Sequence, residues 1–66
     1  MFDVYKIMTK VNDTNFDELY TGDAFVLMGD ILLARAFCED EEAKEFLKEK
    51  YLELERRFVT QWNEIL

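Results

Sequence analysis

The stretch "AFVLMGDILLARAFC", residues 24 to 38, decides the fold of this chain because it is long, apolar and free of proline. Placed at 100° per residue, it forms a helix with two apolar faces. The broad face comprises Phe25, Val26, Gly29, Leu32, Leu33, Ala36 and Phe37. A second strip comprises Leu27, Ile31 and Cys38. A helix that is apolar nearly all round has to be covered nearly all round, so the stretch predicts a buried central helix.

The strongest periodic signal comes next and predicts a long last helix over residues 41 to 64. Its apolar side chains recur within a stripe about 100° wide. They are Ala43, Leu47, Tyr51, Leu54, Phe58, Trp62 and Ile65. Asp40 precedes this segment and can cap its first turn, where Glu41 and Glu42 interact favourably with the helix dipole.

The first segment, residues 2 to 11, leaves two conformations open. Four apolar residues have the i, i+3, i+4, i+7 spacing of a helix. They are Val4, Ile7, Met8 and Val11. A strand with Tyr5, Ile7 and Val11 on one face is the alternative. We predict the helix.

Residues 12 to 23 connect the first segment to the central helix. The sequence "NDTN", residues 12 to 15, is typical of a turn. Asn15 has the position of a cap for a short helix over residues 16 to 21. Gly22 then suits the position after that helix, and Asp23 can cap the central helix. One continuous helix with a kink near Gly22 is the alternative.

Together these elements predict an all-α fold, a small three-helix or four-helix bundle with a buried central helix. The predicted helices cover residues 2–11, 16–21, 24–38 and 41–64 of one domain that spans residues 1–66. A chain this short buries only about 60% of the surface that its unfolded form exposes, so its core alone is marginal. We therefore expect a homodimer, formed around Gly29 and Ala36 or through the last helix.

The residue types that are missing exclude most enzyme chemistry. The chain has no histidine, no serine and one cysteine, which excludes serine triads and Cys-His nucleophiles. We expect no catalytic residue, no metal ion and no cofactor. Cys38 is expected to be a small buried hydrophobe, and a single thiol fits a reducing, cytoplasmic setting. The apolar run of about 15 residues is shorter than the roughly 20 of a membrane span, and the N-terminal segment lacks a signal-peptide pattern.

Acidic residues outnumber basic ones by 15 to 8, which gives a net charge of −7. This charge disfavours direct binding to nucleic acid or to an anionic membrane and attracts a protein with a basic surface. The candidate residues for such a contact are Asp13, Asp17, Glu18, Asp23, Asp30, Glu39, Asp40, Glu41 and Glu42. A merely solvated acidic surface is the alternative.

A second candidate surface is apolar and lies on the last helix. Its residues fall outside the main stripe or near the end of the chain, and they are Phe46, Leu52, Val59, Trp62 and Leu66. Exposed together, they would mark an interface, whereas coverage by the first helix would make them core.

Two functions fit these patterns. The first is a non-enzymatic module that inhibits or regulates a protein by docking an anionic face on a basic, nucleic-acid-binding surface. In size and charge the chain resembles the short acidic inhibitors of phages and mobile elements, including anti-CRISPR and DNA-mimic proteins, a likeness that implies the host cell cytoplasm. The alternative is a structural protein that self-associates through its C-terminal amphipathic helix.

Overall fold

The structure is a computed structural model, and it describes residues 3 to 59. Three helices follow one another: α1 at Val4–Asp13, α2 at Thr21–Phe37 and α3 at Glu41–Leu54. A 3₁₀ turn at Phe16–Glu18 lies between α1 and α2, and a π-helical turn at Glu55–Val59 continues α3. No strand occurs within this range, which confirms the all-α prediction and the helical alternative for the first segment.

Helix α1 begins where Asp3 caps it. The Asp3 carboxylate accepts a hydrogen bond from the backbone N–H of Lys6 at 3.1 Å, which satisfies one of the free donors of the first turn. The helix ends at Asp13, and the Thr14 hydroxyl donates to the carbonyl of Lys10 at 2.6 Å. Both ends lie two residues later than the predicted range of 2–11.

The start of α2 corrects the sequence prediction. The helix begins at Thr21 rather than residue 24, so Gly22 lies inside its first turn and Asp23 is not its cap. Tyr20 precedes the helix and makes no capping hydrogen bond with its side chain. The predicted short helix over 16–21 is a single 3₁₀ turn, in which the Asn15 side chain accepts from the N–H of Asp17 at 3.0 Å. Since no described residue has a positive φ, nothing here requires the conformational freedom of glycine.

The core lies between one face of α2 and the two helices that pack on it. Helix α2 contacts both α1 and α3, and α1 meets α3 over a shorter stretch. Ile31, Leu47, Leu54 and Val11 are the largest fully buried side chains. Ala24 and Ala34 flank Ile31 with no exposed surface, so small side chains let the neighbouring helices approach closely.

The broad apolar face of α2 is exposed, which corrects the expectation of a buried central helix. The face that packs into the core is the narrower one and includes Leu27, Ile31 and Cys38. Helices α1 and α3 both pack against α2, and the face opposite its core side remains in solvent. Asp30 lies at the boundary, where its carboxylate is 3.4 Å from the Lys10 ammonium of α1.

Helix α3 starts as predicted. The Asp40 carboxylate accepts from the N–H of Glu42 at 3.1 Å and caps the helix. Ala43, Leu47 and Leu54 of the predicted stripe are buried, and Tyr51 and Phe58 pack against the core cluster. The α-helical geometry ends at Leu54, where the π-helical turn begins. Trp62 and Ile65 lie outside the described residues.

Candidate protein-binding surfaces

The predicted acidic residues are divided between the two ends of α2. Asp13, Asp17 and Glu18 lie in or near the connection between α1 and α2, whereas residues 39 to 42 connect α2 to α3. The 17 residues of α2 separate these ends by about 25 Å at 1.5 Å per residue. The acidic residues therefore form two groups rather than one continuous face.

At the end formed by the α1–α2 connection, basic residues of the same chain offset part of the charge. The Arg57 guanidinium donates a hydrogen bond to the Asp17 carboxylate and lies 3.6 Å from the Glu53 carboxylate. The hydrogen bond with Asp17 raises the pKa of Arg57 above its ordinary value. Partial desolvation lowers this pKa, and the negative charges of Asp17 and Glu53 raise it further. Asp13 and Glu18 are exposed and form no ion pair with residues 3–59.

The other end retains most of its charge, and we call it the acidic end: Glu39, Asp40, Glu41 and Glu42. Asp40 is held in place by capping α3, and Glu41 lies 3.5 Å from Lys44 while its side chain stays 86% exposed. Glu39 and Glu42 are exposed and form no ion pair within the described part of the chain. The acidic end thus presents four consecutive carboxylates with one ammonium paired to them among the described residues.

A shallow recess opens beside the acidic end. It has a volume of about 280 Å³ and is lined by Val4, Tyr5, Phe37, Cys38, Glu39 and Asp40. Tyr5 is 65% exposed, so an aromatic ring stands in solvent next to carboxylates. Cys38 is buried, as predicted, and its thiol donates to the Asp40 carbonyl at 3.4 Å. An aromatic ring beside carboxylates is an arrangement that can hold a lysine or arginine side chain.

Of the remaining predicted acidic residues, Asp23 lies in the first turn of α2, beside the α1–α2 connection, and Asp30 lies midway along the helix. Asp23 is exposed and forms no ion pair with the residues that the structure describes. Asp30 is half-buried and paired with Lys10. Arg35 is exposed on the opposite side of the helix.

The exposed apolar side of α2 is a surface that the sequence predicted to be covered, with a homodimer contact around Gly29 and Ala36 as one expectation. We call it the α2 face, and it comprises Phe25, Val26, Gly29, Leu32, Leu33, Ala36 and Phe37. Its five large side chains are between 46% and 64% exposed. The sequence shows that these residues share a face, but both sides of the helix are apolar, and the pattern does not say which side is covered.

The apolar residues predicted on the last helix do not form one exposed patch. Phe46 and Val59 pack against the core, and Leu52 is 42% exposed. Trp62 and Leu66 lie outside the described residues. The Lys50 ammonium lies 5.7 Å from the centre of the Phe46 ring and 5.9 Å from that of Phe16, so charge covers Phe46 on its outer side.

Residues 3–59 contain no group of three His, Cys, Asp or Glu side chains that could hold a metal ion. None of the helices in this range is both long enough and apolar enough to cross a bilayer.

Comparison with known proteins finds no protein family, no curated protein and no solved structure that matches this chain. For residues 3–59, the fold and these surfaces define a class: a small acidic helical bundle with an exposed apolar face on α2 and an acidic end.

Proposed function

We propose that this chain is a small non-enzymatic module that binds a protein partner and inhibits or regulates it by docking its acidic end on a basic surface. The observation that supports this proposal is the recess beside the acidic end. There the exposed Tyr5 ring lies next to Glu39 and Asp40, within a run of four carboxylates. Charge alone is common on solvated surfaces, whereas an exposed aromatic ring beside it is typical of binding sites.

The recess offers two kinds of contact to a basic side chain. The carboxylates of Glu39 and Asp40, which line the recess, can accept charge-assisted hydrogen bonds from a guanidinium or ammonium group. The Tyr5 ring can stack on the same cation. The net charge of −7 attracts a basic partner over a distance and raises the rate of association.

The proposal also concerns the kind of basic surface that the acidic end binds. A basic surface that binds nucleic acid is built to hold rows of anionic phosphates, and carboxylates compete for the same lysine and arginine side chains. An inhibitor encoded by a phage or mobile element, of the anti-CRISPR or DNA-mimic kind and acting in the host cell cytoplasm, is the setting that we propose. Direct contact with nucleic acid is disfavoured by the sign of the charge.

Reversal of charge at the acidic end tests the proposal. The double variant Glu39→Lys/Glu42→Lys replaces two exposed carboxylates that have no ion-pair partner among residues 3–59. Asp13→Lys/Glu18→Lys, at the opposite end, is the matched control because it changes net charge by the same amount. Partner capture from a whole-cell lysate, followed by titration of the captured protein, measures the effect.

We expect the acidic-end variant to bind the partner at least about tenfold more weakly, and the control variant to stay within about threefold of wild type. Binding of the wild type should also weaken between low and high salt, because the contact is made of exposed charges. If both variants lose affinity equally, net charge rather than the acidic end determines binding, which would also refute the proposal. Unchanged affinity of the acidic-end variant would refute the proposal.

A further inference from the structure

We propose that the α2 face binds a second copy of this chain, so that two α2 helices pack against each other in an antiparallel, two-fold symmetric dimer. The surface differs from the acidic end in its chemistry and in most of its residues. The inference therefore goes beyond the proposed function and can be tested without a partner.

The area of the α2 face is the first argument. Its large side chains, Phe25, Val26, Leu32, Leu33 and Phe37, are 46%, 62%, 49%, 51% and 64% exposed. Together with the exposed Gly29 and Ala36 they present on the order of 500 Å² of apolar surface, which is as large as the largest patch of a typical monomer. Two such faces with their rims bury about 1,200 Å², the lower bound of specific, stable interfaces.

The shape of the α2 face is the second observation that supports a dimer. Gly29 lies in the middle of α2, where glycine weakens a helix relative to alanine. The fold of one chain gives no reason for it, since a Cβ atom at this position would have nothing within 4 Å and the residue has no positive φ. Gly29 and Ala36 are the smallest residues of the face, and they leave a depression between larger side chains. A second helix can approach closely at that depression, and a two-fold axis allows both copies to do so at once.

The distribution of charge favours a second copy. The centre of the α2 face is uncharged, and the charges of the helix lie at its two edges. A recess with Lys10 and Asp23 borders one edge, and a recess with Arg35 and Lys44 borders the other. Both signs of charge therefore surround an apolar centre, which is the composition of an interface core with a polar rim.

The acidic end determines the orientation. It follows directly on the C-terminal end of α2, so a parallel pair would bring two sets of four carboxylates side by side. An antiparallel pair separates them by about the 25 Å length of the helix, well beyond the Debye length of about 8 Å at physiological ionic strength. In an antiparallel pair each acidic end lies instead beside the α1–α2 connection of the other copy, where Arg57 pairs with Asp17 and Glu53 and offsets part of the negative charge.

Two leucine variants test the interface. Leu33 lies on the α2 face and is 51% exposed, whereas Leu52 lies on α3 and is 42% exposed. Leu33→Glu and Leu52→Glu therefore introduce the same charge at similar exposure, on and off the proposed interface. Sedimentation equilibrium between about 1 and 200 µM measures the mass of each, and circular dichroism checks that each remains helical.

We expect the wild type and Leu52→Glu to approach twice the chain mass of 8.0 kDa, and Leu33→Glu to remain a monomer with at least tenfold weaker association. A wild type that stays monomeric at every concentration overturns the proposal. A Leu33→Glu variant that dimerises like wild type also overturns it, as does a monomeric wild type whose α2 face binds some other protein.

Cross-linking tests the orientation, and circular dichroism checks that each cysteine variant remains folded. In a Cys38→Ala background, Val26→Cys and Ala36→Cys place single thiols near the two ends of the α2 face. In an antiparallel pair centred on the face, position 26 of one copy meets position 36 of the other, while like positions are about 15 Å apart along the axis. A short bismaleimide should link a mixture of the two variants but neither alone. Linking of each variant to itself but not to the other would overturn the antiparallel arrangement.

Discussion

Exposure separates the roles of neighbouring residues that are chemically alike. Ile31 is fully buried, whereas Leu33, two residues later on α2, is half in solvent. On α3 the same contrast holds between Leu47, which has no exposed surface, and Leu52. Because these side chains have similar volumes and hydrophobicity, the difference in burial alone should set their contributions to stability.

Truncation of the α3 leucines tests this contrast. Leu47→Ala should lower the free energy of unfolding by about 2–5 kcal/mol, since it leaves a cavity among Ile31, Leu54 and their neighbours. Leu52→Ala should cost less than about 1 kcal/mol. Urea unfolding followed by circular dichroism measures both. Similar losses for the two variants would contradict the packing described for α3.

Phe46 shows why a helical wheel assigns single residues unreliably. The sequence places it outside the main stripe of the last helix, among charged neighbours, and leaves open whether it is exposed or covered by the first helix. In the structure its ring packs against the core on one side and lies under the Lys50 ammonium on the other. A long lysine side chain can cover an aromatic ring while its charge stays in water, and a wheel of residue types does not represent that contact.

At the scale of elements, the caps explain which helix boundaries were predictable. The side chains of Asp3, Asn15 and Asp40 each accept a backbone N–H at the start of a helix or turn. The predicted start of α3 is correct because Asp40 is such a cap. Helix α2 begins after Tyr20 with no side-chain cap, and the prediction chose Asp23, three residues late. Sequence reasoning that depends on capping residues therefore fails where a helix has none.

The cap at Asp40 can be tested by a matched pair of substitutions. Asp40→Ala removes the carboxylate that accepts from the Glu42 N–H and should destabilise the protein by about 1 kcal/mol. For a domain of this size that corresponds to a fall in Tm of roughly 4–8 °C. Asp40→Asn keeps an acceptor oxygen in place and should retain most of the stability. Thermal unfolding measures both, and an equal fall in Tm would show that charge rather than capping is responsible.

At the scale of the whole molecule, the apolar pattern of α2 predicted the all-α fold but not which side of the central helix is covered. The region described by the structure measures 37 × 18 × 18 Å, and α1 and α3 lie on one side of α2. The acidic residues were recognisable as a class, but their division between two ends follows from the order and length of the helices. Composition therefore predicted what kinds of surface exist, and topology determined where they lie.

The excess of negative charge should make the stability of the folded molecule depend on salt concentration. Its ion pairs are largely exposed, and each contributes little to stability. The excess negative charges, which give a net charge of −7, repel one another in the folded state. Raising NaCl from 10 to 300 mM should therefore increase stability by on the order of 1 kcal/mol, seen as a higher Tm in dilute protein.

The variant Glu39→Lys/Glu42→Lys provides the control for this salt effect. Its net charge is −3, since two Glu→Lys changes add four charges to −7. Its Tm should therefore rise much less with salt. A Tm of the wild type that falls with added NaCl would mean that the ion pairs outweigh the repulsion.

The π-helical turn at Glu55–Val59 changes the phase of the helix that contains it. In such a turn each N–H bonds to the carbonyl five residues earlier rather than four, so the backbone takes in one extra residue. Consider a coiled-coil segment fused after Val59 whose apolar residues continue the seven-residue spacing of Leu47 and Leu54. Because of the π-helical turn, those apolar residues would lie on a different side of the helix from Leu47 and Leu54. A fusion or tether meant to extend α3 in line with its own apolar stripe has to be joined before Glu55.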